Sequence, residues 1–470
     1  MKVIAIGINH SGTTLVRTLS HLSKQDKKDI KIVAYDRNDN ISFLGCGIAL
    51  WVGGEISKPD GLFYATPELL QSEGIEVHMK HELLAVNNKE KKVLIKNLET
   101  NEEFFDTYDK LVIGVGTWPI IPSIPGLKND DGTVSAGVNI VKLFQHAKQI
   151  KAIIDNSAIK NVVVVGAGYI GIELVEAFSH NNKKVTLIDI EDRIMPRYYD
   201  EEFTTPVQQS MEKAGVIIRT GEVVKEFIKE NGIVTKVITD KNEYAVDMVL
   251  WAVGFNTETK ILKDVVELGA RGAIKTNSYF QTSDPDIYAI GDCVAVHNNA
   301  TKENANIALA TTAVRTGLVT AFNIVRDNSL TSPGFQAANA ISVFGWKMAG
   351  VGVSETVAKM SQMDVDTVFF EDNDRPEFLE PHVKVKIKIV WEKASRKIIG
   401  AQIASKANHT EVIYMFSLAI MKGLTIDELP LVDIFFLPHF NKPYNFVTLA
   451  GLKALGMDYF HQSVDENNNN

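Results

Sequence analysis

Short β-branched runs, each closed by glycine, recur along the chain: "KVIAIG", "KLVIGVG", "NVVVVGAG", "MVLWAVG" and "DIYAIGD". Runs that are apolar at every position suit strands buried on both faces, as in the centre of a parallel sheet. Helical stretches such as Ile170 to His180 alternate with them, and glycine-rich strand-to-helix turns begin at Gly7 and again about 160 residues later at Gly166. This pattern predicts an α/β protein with two Rossmann-like dinucleotide-binding units. After about Asp327 the texture changes. "VKVKIKIVW", Val383 to Trp391, alternates apolar and basic residues and predicts an antiparallel strand with one face in water. "EVIYMFSLAIMKG", Glu411 to Gly423, predicts a helix that is apolar on most of its circumference and ends at a glycine suited to a C-cap. Such a helix needs cover on several sides, so a third, α+β domain is expected here, with a partner subunit supplying part of the cover.

The 470 residues carry a formal charge of -9, so the basic footprint of a nucleic-acid binder is absent and anionic ligands have to be held by local devices. Two cysteines, Cys46 and Cys293, build no disulfide framework and no metal-ligand pattern with the eleven histidines. "MKVIAIGI" is too short an apolar run for a signal peptide, and no stretch approaches the roughly 18 apolar residues of a membrane span. The expectation is a soluble, cytoplasmic protein without a metal. The tail 461–470, ending "DENNNN", is expected to be disordered.

The second turn, "VVVVGAGYIGIELVEAF", places Gly166, Gly168 and Gly171 in G-x-G-x-x-G spacing between a strand and a helix, and "KKVTLID" then ends at Asp189. The first glycine permits the tight turn, the second the approach of a pyrophosphate, and the third the packing of helix on strand. Asp189 is placed to accept hydrogen bonds from ribose hydroxyls and to repel a 2′-phosphate. The first turn, "VIAIGINHSGTTLV", keeps Gly7 and Gly12 but has Asn9 at the middle position, and "KIVAYD" ends at Asp36. "TSDPDIYAIGDC" delivers Asp292 at a strand's C-terminal edge, where ligands bind in open α/β sheets. "DKLVIGVGTWP" adds a strand that exits through Val115 and Gly116. Cys46, between Gly45 and Gly47 in "SFLGCGIAL", reads either as a small hydrophobe or as a thiol placed for a reagent.

Taken in order, "GINHSGT", "SFLGCGIALW", "DKLVIGVGTWP", "VVVVGAGYIGIELVEAF", "TSDPDIYAIGDC" and "FFLPHFNKPYN" resemble the flavin-dependent pyridine nucleotide–disulfide oxidoreductases of the single-cysteine branch. Within that branch the likeness is greatest to water-forming NADH oxidases and next to NADH peroxidases. It covers the chain to about Leu455. The resemblance implies an FAD domain in two pieces (1–121 and 257–327), an NAD domain between them (122–256), and an interface domain (328–460) in a homodimer. FAD would lie along Gly7, Ile8, Asn9, His10, Ser11 and Gly12, with Asp36 on the adenosine ribose and Asp292 on the ribityl chain. Cys46, Val115 and Gly116 would border it, and the helix start at Leu309, Ala310 and Thr311 would face the flavin pyrimidine edge. NADH would use Gly166, Gly168, Ile170, Gly171, Glu173, Asp189, Tyr198 and Gly254, with Tyr169 shielding the flavin. Relatives usually carry glycines where Ala337 and Ala340 stand, which leaves the local backbone there open.

Disulfide reductases of this superfamily use a C-x-x-x-x-C pair, whereas here the fifth residue after Cys46 is Trp51. A lone thiolate oxidised by peroxide stops at sulfenic acid and needs a two-electron donor to restore it, which reduced flavin provides. Gly45 and Gly47 would allow a flat ring to approach. His10 is then a candidate for stabilising the thiolate or protonating departing oxygen, or is simply a packed histidine. His439, with Phe436, is the partner subunit's candidate contribution to the pocket or a surface-loop residue; Cys293 reads as structural. The expected reaction reduces dioxygen to water with NADH. NADH peroxidase, a peroxide-forming NADH oxidase, a coenzyme A disulfide reductase and a flavin-based redox sensor are the alternatives.

Overall fold

The computed structural model describes residues 1–457, and the tail 461–470 lies outside them. The chain divides into two compact units that interleave in sequence: 1–188, 223–297 and 304–334 form the first, and 189–222, 298–303 and 335 onward form the second.

In the first unit the chain runs β1 (Lys2–Ile6), α1 (His10–Gln25), β2 (Lys31–Asp36), α2 (Ile48–Gly53), β3 (Ile75–Met79), β4 (Lys110–Ile113), β5 (Val138–Ile140), α3 (Phe144–Ile154), β6 (Asn161–Val165), α4 (Tyr169–His180), β7 (Lys184–Ile188), β8 (Met248–Trp251), β9 (Ile287–Ala289) and α5 (Ala310–Arg326). One parallel sheet has the order β9-β4-β1-β2-β3 and so draws its strands from both ends of the unit. A second sheet contains the parallel run β7-β6-β8-β5, all from the intervening segment. The apolar runs are buried on both faces as their pattern requires: Val3, Ile4, Val162, Val163 and Val164 are almost fully enclosed. Leu15, Val16 and Leu19 of α1 share a core with Ala321, Ile324 and Val325 of α5. The two helices approach so closely that a Cβ at Gly317 would fall 2.3 Å from the Ser11 carbonyl oxygen.

The second unit is built on an antiparallel sheet of β10 (Asn339–Val343), β11 (Trp346–Gly352), β12 (Val365–Asn373), β13 (Lys384–Glu392) and β14 (Ile398–Ser405), in the order β10-β11-β14-β13-β12. A short helix, α6 (Glu355–Met360), precedes β12. The alternating segment does form β13, but its expected wet face is largely covered. Lys388 is only 4% exposed, and its Nζ lies 2.6 Å from a Glu355 oxygen, 2.7 Å from Glu202 and 3.4 Å from Asp200. The reason is topological. β13 is flanked on both edges, and α6 and the helix Glu201–Lys213 bring carboxylates over the face where Lys388 emerges. A charge buried with hydrogen-bonded counter-ions is tolerated where an unpaired one is not.

The helix expected over 411–423 starts as a tight turn at Thr410–Val412 and continues as α7 (Ile413–Lys422), capped by Gly423 at φ +71°. Ile413, Phe416 and Ile420 enter the core beside Ile387, Ile389 and Ile403, while Tyr414 and Leu418 stand in the open. The loop after it exposes Leu431, Phe435, Phe436 and Phe440. Ala337 holds φ +54°, a left-handed conformation that suits glycine and that an alanine adopts at a cost, whereas Ala340 lies in β10.

Candidate active site

The two glycine turns are built on one steric plan. Gly7 has φ +86°, and a Cβ there would sit 2.3 Å from the Gly114 oxygen; a Cβ at Gly12 would sit 2.0 Å from the Gly7 oxygen. Gly166 has φ +109° with the Ala252 oxygen 2.4 Å from its notional Cβ, and the Gly171 Cβ would meet the Gly166 oxygen at 1.9 Å. In each turn the first glycine clears a neighbouring strand's exit and the third lets the helix drop onto the turn. The middle positions differ. A Cβ on Gly168 would meet no protein atom within 4 Å, so that side of the second turn is clear for a phosphate, whereas Asn9 occupies the corresponding place in the first. Asp36, buried at the end of β2, accepts the Ile8 N–H at 2.6 Å and the Asn38 N–H at 2.8 Å, tying strand to turn. Burial pushes its carboxyl upward, against the pull of these N–H groups.

Cys46 sits in the tight turn Gly45–Gly47 that leads directly into α2, with its thiol accessible. Partial burial pushes the thiol upward and the charge of Glu173 adds to this, while the N–H groups of Cys46 and Gly47 act the other way. Gly47 is pressed against Leu62, and a Cβ on Gly45 would meet nothing within 4 Å. The segment is held by Ser42, whose hydroxyl donates to the Ala65 carbonyl at 2.8 Å and accepts the N–H groups of Ala65 (2.8 Å) and Tyr64 (3.1 Å). Cys293 is the opposite case. It is fully buried, donates toward the Ile290 carbonyl at 3.2 Å, and has its thiol pushed up to about 12, chiefly by burial.

The Ser42 clamp has a second effect, because it fixes Tyr64 beside His10. The His10 Nδ1 lies 3.0 Å from the Tyr64 hydroxyl, and the rings stack with centroids 5.7 Å apart. Burial holds the His10 imidazole below its usual value; Asp292 pulls it up and Lys142 down. Lys142 Nζ is 3.6 Å from the Asp292 carboxylate and donates to Thr117 Oγ1 at 2.9 Å. Sequence reasoning missed Lys142 and gave Tyr64 no role. The signal available for Lys142 was a lone basic residue just past a strand's C-terminal edge in "VNIVK". Glu173, one turn into α4, is pushed up to about 7 by burial, with Glu176 adding to it.

Of the expected site residues, His10, Cys46, Asp292 and Glu173 all stand in the first unit, where Asp292 acts on His10 and Glu173 on Cys46. Val115 and Gly116 follow β4, and Gly116, at φ +67°, also faces open space. Leu309 immediately precedes α5, whose first turn holds Ala310 and Thr311. Tyr169 and Ile170 begin α4, and Gly254 follows β8. Asp189, Tyr198 and His439 belong to the second unit. Asp189 follows β7 directly, and its carboxylate accepts the Glu191 N–H at 2.8 Å. Tyr198 is 40% exposed, and His439 lies in the open loop after α7. Among the described residues no cluster of histidine, cysteine and carboxylate side chains could hold a metal ion, and no helix is long and apolar enough to cross a membrane.

Residues 1–317 match the family described as pyridine nucleotide-disulphide oxidoreductase, and 339–445 match its dimerisation domain. The chain belongs to the pyridine nucleotide-disulphide oxidoreductases. Within this family it is 43% identical over 459 residues to an NADH oxidase of Streptococcus pyogenes, covering 96% of this chain and 99% of that one. It is also similar to the structure of a water-forming NADH oxidase from Lactobacillus brevis bound to NADH, with TM-score 0.92, 36% identity, and 98% and 99% of the two chains covered. A coenzyme A disulfide reductase of Staphylococcus haemolyticus is 25% identical over 455 residues, covering 96% and 99%. The residues of the first sheet fit the FAD of a flavin-dependent pyridine nucleotide-disulphide oxidoreductase: a Cβ on Gly45 or Gly116 would meet no protein atom within 4 Å, and Asp292 lies at the sheet's carboxyl edge.

Proposed function

We propose that this protein is an FAD-dependent NADH oxidase that reduces dioxygen to water and that Cys46 is its redox thiol. The observation that carries the thiol's role is the contrast between the two cysteines: Cys46 is accessible, and Cys293 is sealed in the core, so no second thiol is available to resolve an adduct. Likeness to proteins named NADH oxidase, at greater identity than to the coenzyme A disulfide reductase, supports the choice of reaction.

Bound FAD supplies the two-electron chemistry that links NADH to dioxygen. This chain's residues act around it. Gly166, Gly168 and Gly171 receive the NADH pyrophosphate, Asp189 takes the ribose hydroxyls, and Asp292 and Asp36 hold the flavin dinucleotide. The Cys46 sulfur attacks the O–O bond of hydrogen peroxide: an S–O bond forms, the O–O bond breaks, and the departing hydroxide takes a proton to leave as water. Two electrons and a proton from a second NADH convert the sulfenic acid back to thiolate and a second water. In this reading His10 holds or delivers these protons, and His439 of the partner subunit completes the pocket in the homodimer. Overall, two NADH, two protons and one dioxygen give two NAD⁺ and two water molecules.

The test is the ratio of NADH to dioxygen consumed, measured with and without catalase. Two NADH per dioxygen, insensitive to catalase, is expected. A ratio of one that catalase alters identifies a peroxide-forming enzyme, and NADH consumption that requires added peroxide identifies a peroxidase.

A further inference from the structure

Four aromatic rings meet around the segment that carries Cys46. Phe43, just before the cysteine's turn, and Trp51, in the helix that follows it, are both buried. Phe63 stands opposite Phe43 in an antiparallel bridge, and beside it the Leu44 N–H donates to the Leu62 carbonyl at 2.8 Å. The fourth ring comes from a distant part of the chain. Phe144, the first residue of α3, has its ring centroid 5.5 Å from that of Phe43, 5.5 Å from Trp51 and 5.0 Å from Phe63, stacking on the indole and meeting Phe63 edge-on. Stacked and edge-on pairs at such separations are the favoured aromatic arrangements.

Short links carry these contacts to the thiol turn from three directions. On its N-terminal side the Gly45 N–H donates to the Phe43 carbonyl at 3.0 Å, and the Gly47 N–H to the Leu44 carbonyl at 2.9 Å. On its C-terminal side Trp51 belongs to α2, which starts at Ile48 and packs against α3. Leu62, next to Phe63, closes on Gly47, where a Cβ would fall 2.2 Å from the leucine Cδ2. Phe144 is itself anchored. Two residues before it, Lys142 donates to Thr117 Oγ1 at 2.9 Å and lies 3.6 Å from the Asp292 carboxylate; four residues after it, the Lys148 ammonium stands 4.4 Å from the centre of its ring.

We propose that Phe144 is a positioning residue for Cys46: its ring contacts fix the thiol turn relative to the sheet edge where Asp292 lies. The Ser42 clamp joins partners on the same loop and sets that loop's shape. Ties to other parts of the chain hold the ends of the segment, the Ser42 N–H on the Ile8 carbonyl at 3.4 Å and the Asn181 amide on the Gly53 carbonyl at 3.1 Å. The middle, where Cys46 stands, is held by the rings. The benefit of this placement to peroxide reduction rests on the function proposed above, but the holding of the turn does not.

Two measurements on the flavin-loaded protein test this together: hydrogen exchange read by peptide mass, and peroxide reduction followed by single-turnover stopped flow. Phe144→Ala should speed exchange at residues 43–53, which include the Gly47 N–H, and leave β1 and β4 as protected as in the parent. Peroxide reduction should slow by about 10-fold to 100-fold, the scale set by misplacing a reacting atom by roughly 1 Å. The NADH-to-dioxygen ratio should fall from two toward one. That ratio does not depend on how much of the protein is folded, so a loss of stability alone leaves it where it was. Phe144→Tyr, which keeps the ring, should match the parent in every readout. Phe227→Leu alters a ring packed edge-on against Trp251 in the same unit and serves as the stability control, with the thiol turn expected to stay as in the parent.

Parent-like exchange at 43–53 in Phe144→Ala would overturn the proposal. Faster exchange throughout the first unit, or a Phe227→Leu variant that loosens the thiol turn equally, would do the same by reducing Phe144 to core packing. If Phe144→Ala does not fold, Phe144→Leu keeps apolar bulk without the ring and is read by the same outcomes. A parent ratio of one together with local loosening sinks the water-forming reading and spares the positioning of the turn. A parent ratio of two with a peroxide step that loosening does not slow does the reverse.

Discussion

The Tyr64 hydroxyl lies 3.0 Å from His10 Nδ1, on a ring stacked against the imidazole. The phenol is pushed up to about 12, mainly by burial, so it remains protonated and can donate to Nδ1 or accept from it. The imidazole is held below its usual value, chiefly by burial, so the uncharged form is favoured at neutral pH, and the contact with Tyr64 fixes the orientation of the ring. Tyr64→Phe removes this hydrogen bond. The loss of one such hydrogen bond is about 1 kcal/mol, or roughly fivefold in the rate of the peroxide-reducing step. Stopped-flow measurement of peroxide reduction checks this, and unchanged kinetics would remove His10 orientation from the mechanism.

Cys46→Ser should leave flavin bound and NADH oxidised, because only the peroxide-reducing half of the reaction uses sulfur. The NADH-to-dioxygen ratio should fall from two toward one, with hydrogen peroxide accumulating in step. An unchanged ratio would disprove the sulfenic acid cycle.

Asp189 follows β7 directly, and its charge opposes a 2′-phosphate while its oxygens suit a 2′,3′-diol. The parent enzyme should therefore prefer NADH over NADPH in kcat/KM by a margin worth about 1.5–3 kcal/mol, and Asp189→Asn should erase most of it. Equal efficiencies in the parent would show that Asp189 does not read the ribose.

Mixing Cys46→Ser and His439→Ala chains under subunit exchange should partly restore water formation. If the two residues meet across the homodimer, one site of each mixed dimer carries both lesions and the other neither. Exchange shown by differently tagged chains without recovery would place His439 outside the partner's pocket.

The Lys388 cluster governs stability. Asp200 is opposed by burial yet held below its ordinary 3.8 by the hydrogen bonds of Thr356 and the charge of Lys388. Glu355 is held below 4.5 by hydrogen bonds from Lys359 and Lys388. Carboxyls depressed in the folded state contribute stability that is complete above their unfolded values and disappears as pH falls through the folded ones, so Tm should drop below about pH 4. Lys388→Met leaves these carboxylates uncompensated and should cost about 3–5 kcal/mol at pH 7, measured by denaturant unfolding. A neutral effect would show that water relieves the cluster.

The parallel sheets and both glycine turns were legible because their constraints are local: Gly7, Gly12, Gly166 and Gly171 are each required by contacts with backbone a few residues or one strand away. Lys388 was misread because its burial depends on Asp200, Glu202 and Glu355, which alternation within one strand cannot reveal. The neighbourhood of His10 was only half visible for the same reason. Asp292 announced itself at a strand edge, but Tyr64 and Lys142 arrive from other parts of the chain, brought there by the Ser42 clamp and the exit of β5. Glu173 was named for its place on the dinucleotide helix, and the burial that pushes its carboxyl up to about 7 depends on packing that the helix's own sequence does not reveal.

The open aromatic loop after α7, with Leu431 83% and Phe435 69% exposed, sits in the region that matches a dimerisation domain. A surface of that kind in water links the survival of the fold to encounter with a second copy, so dilution itself acts as a denaturant. The melting point of such a chain has meaning only alongside the protein concentration, and a newly made subunit is most vulnerable to aggregation in the interval before it finds its mate.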